Sequence, residues 1–134
     1  MSPVPIYQQI RDRIVEAIGR GGLRRGDALA SVRQLAGAFA INPATVAKAY
    51  DLLRAEGLVA TNAKSGSFVA DDRDTSVPTD SFRADFTSRL TTLLAEGRAR
   101  GLSDAVLRSL ADGVADALEH PVKEDRGPFS RSGT

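Results

Sequence analysis

Two helix-start signals that lie close together constrain this chain more than any other feature. Ser31 and Gln34 have the S-x-x-Q spacing of a capping box, in which each residue's side chain binds a backbone N–H group at the helix start. Asn42-Pro43 then combines a capping side chain with a proline suited to the first helical position. Since apolar residues follow both signals at helical spacing, the sequence predicts two short helices separated by only a few residues. Two such helices cross at a steep angle, as in a helix-turn-helix.

The residues before this pair predict one more helix. Ile6, Ile10, Ile14 and Ile18 recur every fourth residue with polar residues between them, which indicates an amphipathic helix over about 6–20. A run of glycines follows and ends it.

A β-hairpin is predicted directly after the helix-turn-helix. Residues 58–61 and 67–70 alternate as strands do, and the segment 62–66 between them is made of turn-forming residues. A hairpin in this position is a wing. The predicted fold class is therefore mostly α with a small β-hairpin wing: an N-terminal winged helix-turn-helix followed by a C-terminal two-helix hairpin.

The second half of the chain predicts two amphipathic helices, over about 81–100 and 104–119. A hairpin of this size buries one face and leaves apolar surface over, which must meet either the N-terminal domain or a second copy of the chain. Of the two, we expect the second copy. The predicted organisation is a DNA-binding domain at 4–72, a linker at 73–80, a helical dimerisation region at 81–120 and a disordered tail at 121–134. The residues predicted to form the dimer interface are Phe82, Phe86, Leu90, Leu93, Leu94, Leu107, Leu110, Val114 and Leu118.

Composition argues against an enzyme or a metal protein. The chain has no cysteine and a single histidine, His120, so it lacks the residues for a thiolate metal site or a Cys–His pair, and His120 lies outside the predicted core. We therefore expect no catalytic residue, no metal and no cofactor. No apolar run approaches the length of a membrane span and no signal-peptide pattern opens the chain, so we expect a cytoplasmic protein.

The small net charge of +1 conceals a difference between the two halves. Basic residues outnumber acidic ones over residues 1–70, and acidic residues outnumber basic ones over 71–134. A basic first half is compatible with nucleic-acid binding, although such a difference is a weak signal by itself.

From residue 4 to 70 the chain resembles the DNA-binding domain of the GntR family of bacterial regulators, and specifically its YtrA-like subfamily. Several blocks carry the resemblance in the family's order and spacing. They are Pro5-Ile6-Tyr7-Gln8-Gln9-Ile10, Leu29-Ala30-Ser31-Val32-Arg33-Gln34-Leu35-Ala36, Ile41-Asn42-Pro43-Ala44-Thr45-Val46, Ala49-Tyr50, Leu53-Arg54-Ala55-Glu56-Gly57-Leu58-Val59 and Gly66-Ser67-Phe68-Val69.

The resemblance implies a double-stranded operator DNA as partner and three elements that contact it. Ser31 and Arg33 of the second helix would contact DNA. The start of the third helix would enter the major groove and the wing tip the adjacent minor groove. The residues concerned are Asn42, Pro43, Ala44, Thr45 and Lys48 in the third helix, and Lys64, Ser65, Gly66 and Ser67 in the wing.

The chain departs from the family pattern in two places. Ala30 replaces a proline found in many relatives, and Pro43 and Ala44 stand where many relatives have arginine or threonine. Direct base contact from the third helix is therefore expected to be sparse, with thymine methyl contact or DNA shape supplying part of the specificity.

The leading hypothesis is a repressor that binds an inverted-repeat operator as a homodimer. Two alternatives stay open: a winged helix that binds another protein, and a nonspecific DNA-packing protein. A small-molecule effector is either absent or bound in a small pocket between tail and head, and its identity is unknown.

Overall fold

The computed structural model of this chain describes residues 4–119 and 127–131. Its elements, in chain order, are α1 (Ile6–Gly19), α2 (Val32–Phe39), α3 (Pro43–Ala55), β1 (Val59–Asn62), β2 (Gly66–Val69), α4 (Asp80–Ala99), α5 (Asp104–Glu119) and a 3-10 turn (Gly127–Phe129). The described residues fall into two units. We call residues 4–75 with 127–131 the head, and residues 76–119 the helical hairpin. The predicted fold class is confirmed.

Both helix-start signals act as their residues predict. The Gln34 N–H donates to Ser31 Oγ over 3.0 Å, and the Ser31 N–H donates to Gln34 Oε1 over 2.8 Å. Helix α2 ends at Phe39, and its C-cap residue Ala40 has a left-handed backbone conformation, with a φ of 54° and a ψ of 47°. This conformation is unusual for a residue other than glycine, and it turns the chain within a few residues towards the cap of α3 at Asn42.

The core of the head lies between the three N-terminal helices and the wing. Its largest fully buried side chains are Tyr50, Ile14, Leu23, Leu29, Leu35, Leu53, Val46 and Val69. The buried Tyr50 hydroxyl donates to the Ala30 carbonyl over 2.6 Å, which satisfies its hydrogen-bonding need. Ile6 is 53% exposed, so the buried stripe of α1 begins one turn later than predicted.

The wing is an antiparallel hairpin in which Val59 pairs with Val69 and Asn62 with Gly66. A third extended piece lies beside β2, because Ala28 forms a bridge with Phe68 and the Leu29 N–H donates to the Ser67 carbonyl over 2.9 Å. The wing is thereby attached to the residues that lead into α2.

The predicted disorder of residues 121–134 is wrong for residues 127–131. Phe129 is only 7% exposed and Ser130 forms an antiparallel bridge with Leu29. Burial of an aromatic ring together with backbone hydrogen bonds stabilises this ordered conformation. Residues 121–126 and 132–134 of that segment lie outside the described residues, as does His120 just before it.

Helices α4 and α5 form a hairpin whose turn includes Gly101 at φ 97°. A Cβ atom on Gly97 would lie 2.7 Å from Leu107 Cδ2, so glycine permits the close approach of the two helices. Neither helix contains a buried residue. The hairpin therefore has no core of its own in the single chain.

Candidate nucleic-acid interface

The first turn of α2 presents one cation and one hydroxyl group. The Arg33 side chain is exposed, and no carboxylate of the described residues forms an ion pair with it. Ser31 is exposed too, and its Oγ accepts the cap hydrogen bond with a lone pair. Because accepting a bond does not use the hydroxyl hydrogen, Ser31 can cap the helix and still donate to an external oxygen.

The start of α3 is exposed at Asn42, Pro43 and Ala44, while Thr45 is half-buried. Asn42 Oδ1 accepts the Ala44 N–H over 2.8 Å, and this leaves the side-chain amide nitrogen as a donor. The cap therefore uses the Ala44 N–H that an approaching phosphate could otherwise bind. What α3 offers a phosphate is chiefly the positive end of its dipole and the Asn42 amide.

Lys48 lies one turn further along α3, and its ammonium is 4.1 Å from the ring centroid of Tyr7 on α1. A cation at this distance from an aromatic face is attracted by the ring's negative electrostatic potential. Tyr7 packs partly against the core, so it also fixes where the Lys48 charge lies.

The wing turn is shaped by its own side chains. The Ser65 N–H donates to Asn62 Oδ1 over 2.5 Å, and Gly66 adopts a φ of +67° that an L side chain would strain. Lys64 is exposed at this turn. The Ser67 hydroxyl lies 3.1 Å from the Thr61 hydroxyl, so part of its hydrogen-bonding capacity is used within the hairpin.

Three other arginines of the head are paired with acidic neighbours. Arg11 is bonded to Glu56 over 2.6 Å, and this hydrogen bond raises the pKa of Arg11 above its ordinary value. Arg13 pairs with Glu16 at 3.2 Å, and Arg54 pairs with Asp51. Arg33, Lys48 and Lys64 have no such partner among the described residues. Their positive charges are thus available to an external anion.

All of the residues predicted to contact DNA lie in the head, and none of them is buried. The structure adds a basic residue that sequence reasoning missed. The Arg131 guanidinium lies against Gly66, where it would overlap a Cβ atom placed on that residue. The sequence held one signal that the segment around Arg131 packs on the head: Phe129 is a lone aromatic residue among polar ones.

The predicted dimer residues lie on the two helices of the hairpin. Leu94, Leu107 and Leu118 are half-buried, and Leu107 packs against Gly97 of the same chain. The other predicted residues are exposed by 41% or more: Phe82, Phe86, Leu90, Leu93, Leu110 and Val114. These six form what we call the apolar set.

Residues 4–119 and 127–131 contain no group of three or more His, Cys, Asp or Glu side chains that could hold a metal ion. Within the same residues, no helix is long and apolar enough to cross a membrane.

Comparison with known proteins places the head among bacterial regulators. The model of a family described as bacterial regulatory proteins, gntR family, matches residues 6–69. The HTH-type transcriptional repressor YtrA of Bacillus subtilis is 38% identical over 76 residues, which are 57% of this chain and 58% of the repressor. The chain thus spans less than two thirds of the length of this curated relative.

Solved structures extend the similarity beyond the head. YtrA from Sulfolobus acidocaldarius, a GntR-family transcription factor, is 36% identical with a TM-score of 0.56, over 70% of this chain and 90% of that one. A transcriptional antiterminator from Listeria monocytogenes EGD-e is 28% identical with a TM-score of 0.78, over 87% of each chain. The second match covers enough of the chain to include helices beyond the wing.

Proposed function

This chain belongs to the GntR family of bacterial regulatory proteins, in its YtrA-like subfamily, and on that premise we propose that it is a DNA-binding transcription regulator. The observation that carries the proposal is the charge distribution of the head. Arg33, Lys48 and Lys64 stand on α2, α3 and the wing without a carboxylate partner among the described residues, whereas Arg11, Arg13 and Arg54 are paired. Unpaired cations on these three elements suit a polyanion.

In the proposed complex the start of α3 enters the major groove and the wing reaches the adjacent minor groove. Arg33 has the planar guanidinium that binds a phosphate or a guanine edge with two hydrogen bonds. Thr45 and Lys48 are the polar side chains that α3 can extend towards bases. Pro43 and Ala44 are exposed beside them, so apolar contact with thymine methyl groups would supplement this sparse polar readout.

The proposed active form is a homodimer joined through the helical hairpin. The apolar set is exposed on helices that have no buried residue, and a second copy of the chain would remove that surface from water. A two-fold dimer presents its two heads to an inverted repeat, with half-sites about one helical turn apart. We propose that the protein acts as a repressor, without a catalytic step, in the cytoplasm where an operator would lie.

A mobility shift with the chain's own promoter region tests this function against its alternatives. We expect a shift that an unlabelled copy of the same DNA reverses and an equal amount of random-sequence DNA does not. If each protomer neutralises about four phosphates, the logarithm of the binding constant falls against the logarithm of salt concentration with a slope of about −7.

The other outcomes of that experiment identify the alternatives. Equal competition by random DNA would indicate a DNA-packing protein. If neither this promoter nor fragments selected from genomic DNA bind, the DNA-binding proposal fails and a protein-interaction module replaces it.

A further inference from the structure

The segment Gly127–Arg131 pairs at Ser130 with the extended piece of chain that lies beside β2 of the wing. Ser130 forms an antiparallel bridge with Leu29, which lies beside β2. The Ala30 N–H donates to the Phe129 carbonyl over 2.7 Å, and the Arg131 N–H donates to the Ala28 carbonyl over 2.9 Å. These two bonds fix the register of the segment, because a shift of one residue would break both.

Phe129 anchors this segment. Its ring is buried with the core of the head, and its centroid lies 6.0 Å from that of Phe39 at the end of α2, with the ring planes tilted by 49°. Tilted aromatic pairs at this separation attract each other beyond their apolar burial. The anchor and the backbone bonds together determine the position of Arg131, two residues after Phe129.

Arg131 carries its charge to the wing turn. The space that a Cβ atom on Gly66 would occupy is taken by the Arg131 guanidinium, with Nη2 nearest. Arg131 is exposed, and no carboxylate of the described residues forms an ion pair with it. The positive charge of Arg131 also lowers the pKa of the buried Tyr50 hydroxyl, against the larger rise that burial causes. A guanidinium without a carboxylate partner in the described part of the chain therefore lies on the wing turn that already carries Lys64.

We propose that Arg131 is an additional DNA-contacting residue, which the C-terminal segment places at the wing to bind a backbone phosphate of the groove that the wing enters. The inference rests on the proposed function and deepens it. A guanidinium presents paired N–H donors that match two phosphate oxygens, and a sequence-independent phosphate contact fits a residue held at the edge of the interface. Because Gly66 has no side chain, the guanidinium can lie directly on the wing backbone.

The test compares Arg131→Ala with wild type on the promoter duplex that the protein binds, over a range of salt concentrations. One phosphate contact contributes about 0.9 to the salt slope, or about eightfold in affinity between 1 M and 0.1 M salt. For each protomer engaged, we expect Arg131→Ala to bind about eightfold more weakly at 0.1 M salt, with the slope reduced by about 0.9. Arg131→Lys retains the charge and should recover part of the loss.

A second variant and a matched control separate placement from charge alone. Phe129→Ala removes the anchor and should weaken binding as Arg131→Ala does, while the double variant should be no weaker than either single one. Arg13→Ala removes an exposed arginine of the same unit that is paired with Glu16, and it should leave the salt slope unchanged. Circular dichroism and thermal unfolding of each variant show whether the head is folded.

Each outcome decides between the two proposals. If folded Arg131→Ala keeps wild-type affinity and slope while Arg33→Ala loses affinity, the role of Arg131 is overturned and the proposed function stands. An equal loss in Arg13→Ala would also overturn it, because net charge alone would then explain the effect. If wild type binds neither its promoter nor genomic fragments, both proposals fall.

Discussion

At the scale of single residues, the proposed DNA contact of Arg33 gives the most direct test of the proposed function. Arg33 is exposed at the first turn of α2, and no acidic side chain of the described residues neutralises it. We expect Arg33→Ala to weaken binding to the promoter duplex by roughly 1–3 kcal/mol, because a charged bidentate contact is lost. Its unfolding free energy should stay within about 0.5 kcal/mol of wild type, since the side chain is on the surface.

Fluorescence anisotropy at constant salt measures the first quantity and urea unfolding the second. Arg13→Ala is the matched control, with unchanged affinity expected. An unaltered dissociation constant for Arg33→Ala would remove this residue from the interface.

Tyr50 contributes to the stability of the head rather than to binding. Burial raises the pKa of its hydroxyl to about 12, and the nearby charge of Arg131 opposes that shift. In the unfolded chain a tyrosine ionises near pH 10, so the folded state holds its proton over a range in which the unfolded state loses it. The contribution is fully present below about pH 10 and declines as pH rises towards 12, by at most about 1.4 kcal/mol per pH unit.

Urea unfolding between pH 7 and pH 12 checks this prediction with Tyr50→Phe. The variant lacks the hydrogen bond to Ala30 and should be less stable by about 1 kcal/mol at pH 7. Its stability should fall less steeply above pH 10 than that of wild type. Tyr7→Phe is the control, and a parallel decline of Tyr50→Phe and wild type would contradict the assignment.

At the scale of elements, Asp72 organises the turn that follows the wing. Its carboxylate accepts N–H bonds from Arg25, Asp74 and Thr75, together with the Thr75 hydroxyl. These bonds, with the Arg25 N–H contributing most, lower the pKa of Asp72 to about 2. Since an unfolded aspartate titrates near pH 3.9, the stabilising contribution is present above about pH 4 and is lost as pH falls towards 2.

Acid unfolding of Asp72→Ala, followed by circular dichroism, tests this role. The variant should be less stable than wild type at neutral pH, and the difference between them should shrink between pH 4 and pH 2. Asp74→Ala removes a neighbouring carboxylate from the same turn and serves as the control. A difference that stays constant down to pH 2 would show that Asp72 does not titrate in this way.

Element boundaries followed from the sequence wherever a local signal marked them. The Ser31–Gln34 capping box and Asn42-Pro43 place the starts of α2 and α3 correctly, because a cap acts on N–H groups within a few residues of itself. The α1 stripe was accurate from Ile10 onwards, but Ile6 lies beyond the edge of the core. Periodicity shows that a face is apolar without showing how far the covering surface extends.

At the scale of the whole molecule, the proposed dimer depends on the apolar set of the hairpin. Leu110 on α5 is 53% exposed. Leu110→Asp would place a carboxylate in the proposed interface, where its desolvation costs on the order of several kcal/mol for each ion. We expect this variant to be a monomer at concentrations where wild type is a dimer, while its head remains folded.

Sedimentation equilibrium measures the association state. Ser109→Asp adds the same charge at an exposed polar position of the same helix and should leave the dimer intact. The monomeric variant should bind an inverted repeat more weakly, since a single head engages one half-site at a time. A fully dimeric Leu110→Asp would exclude this face as the interface.

The sequence alone was enough for the order and type of the helices, the wing, and the exposed candidate residues of the head. Each depends on caps, turns and periodicity that act over a few neighbouring residues. The docking of Phe129 and the position of Arg131 beside Gly66 were decided only by the tertiary structure. The reason is that the surface and the edge hydrogen-bonding groups that hold this segment come from residues far away in the chain, and they exist as a binding surface only once the head has folded.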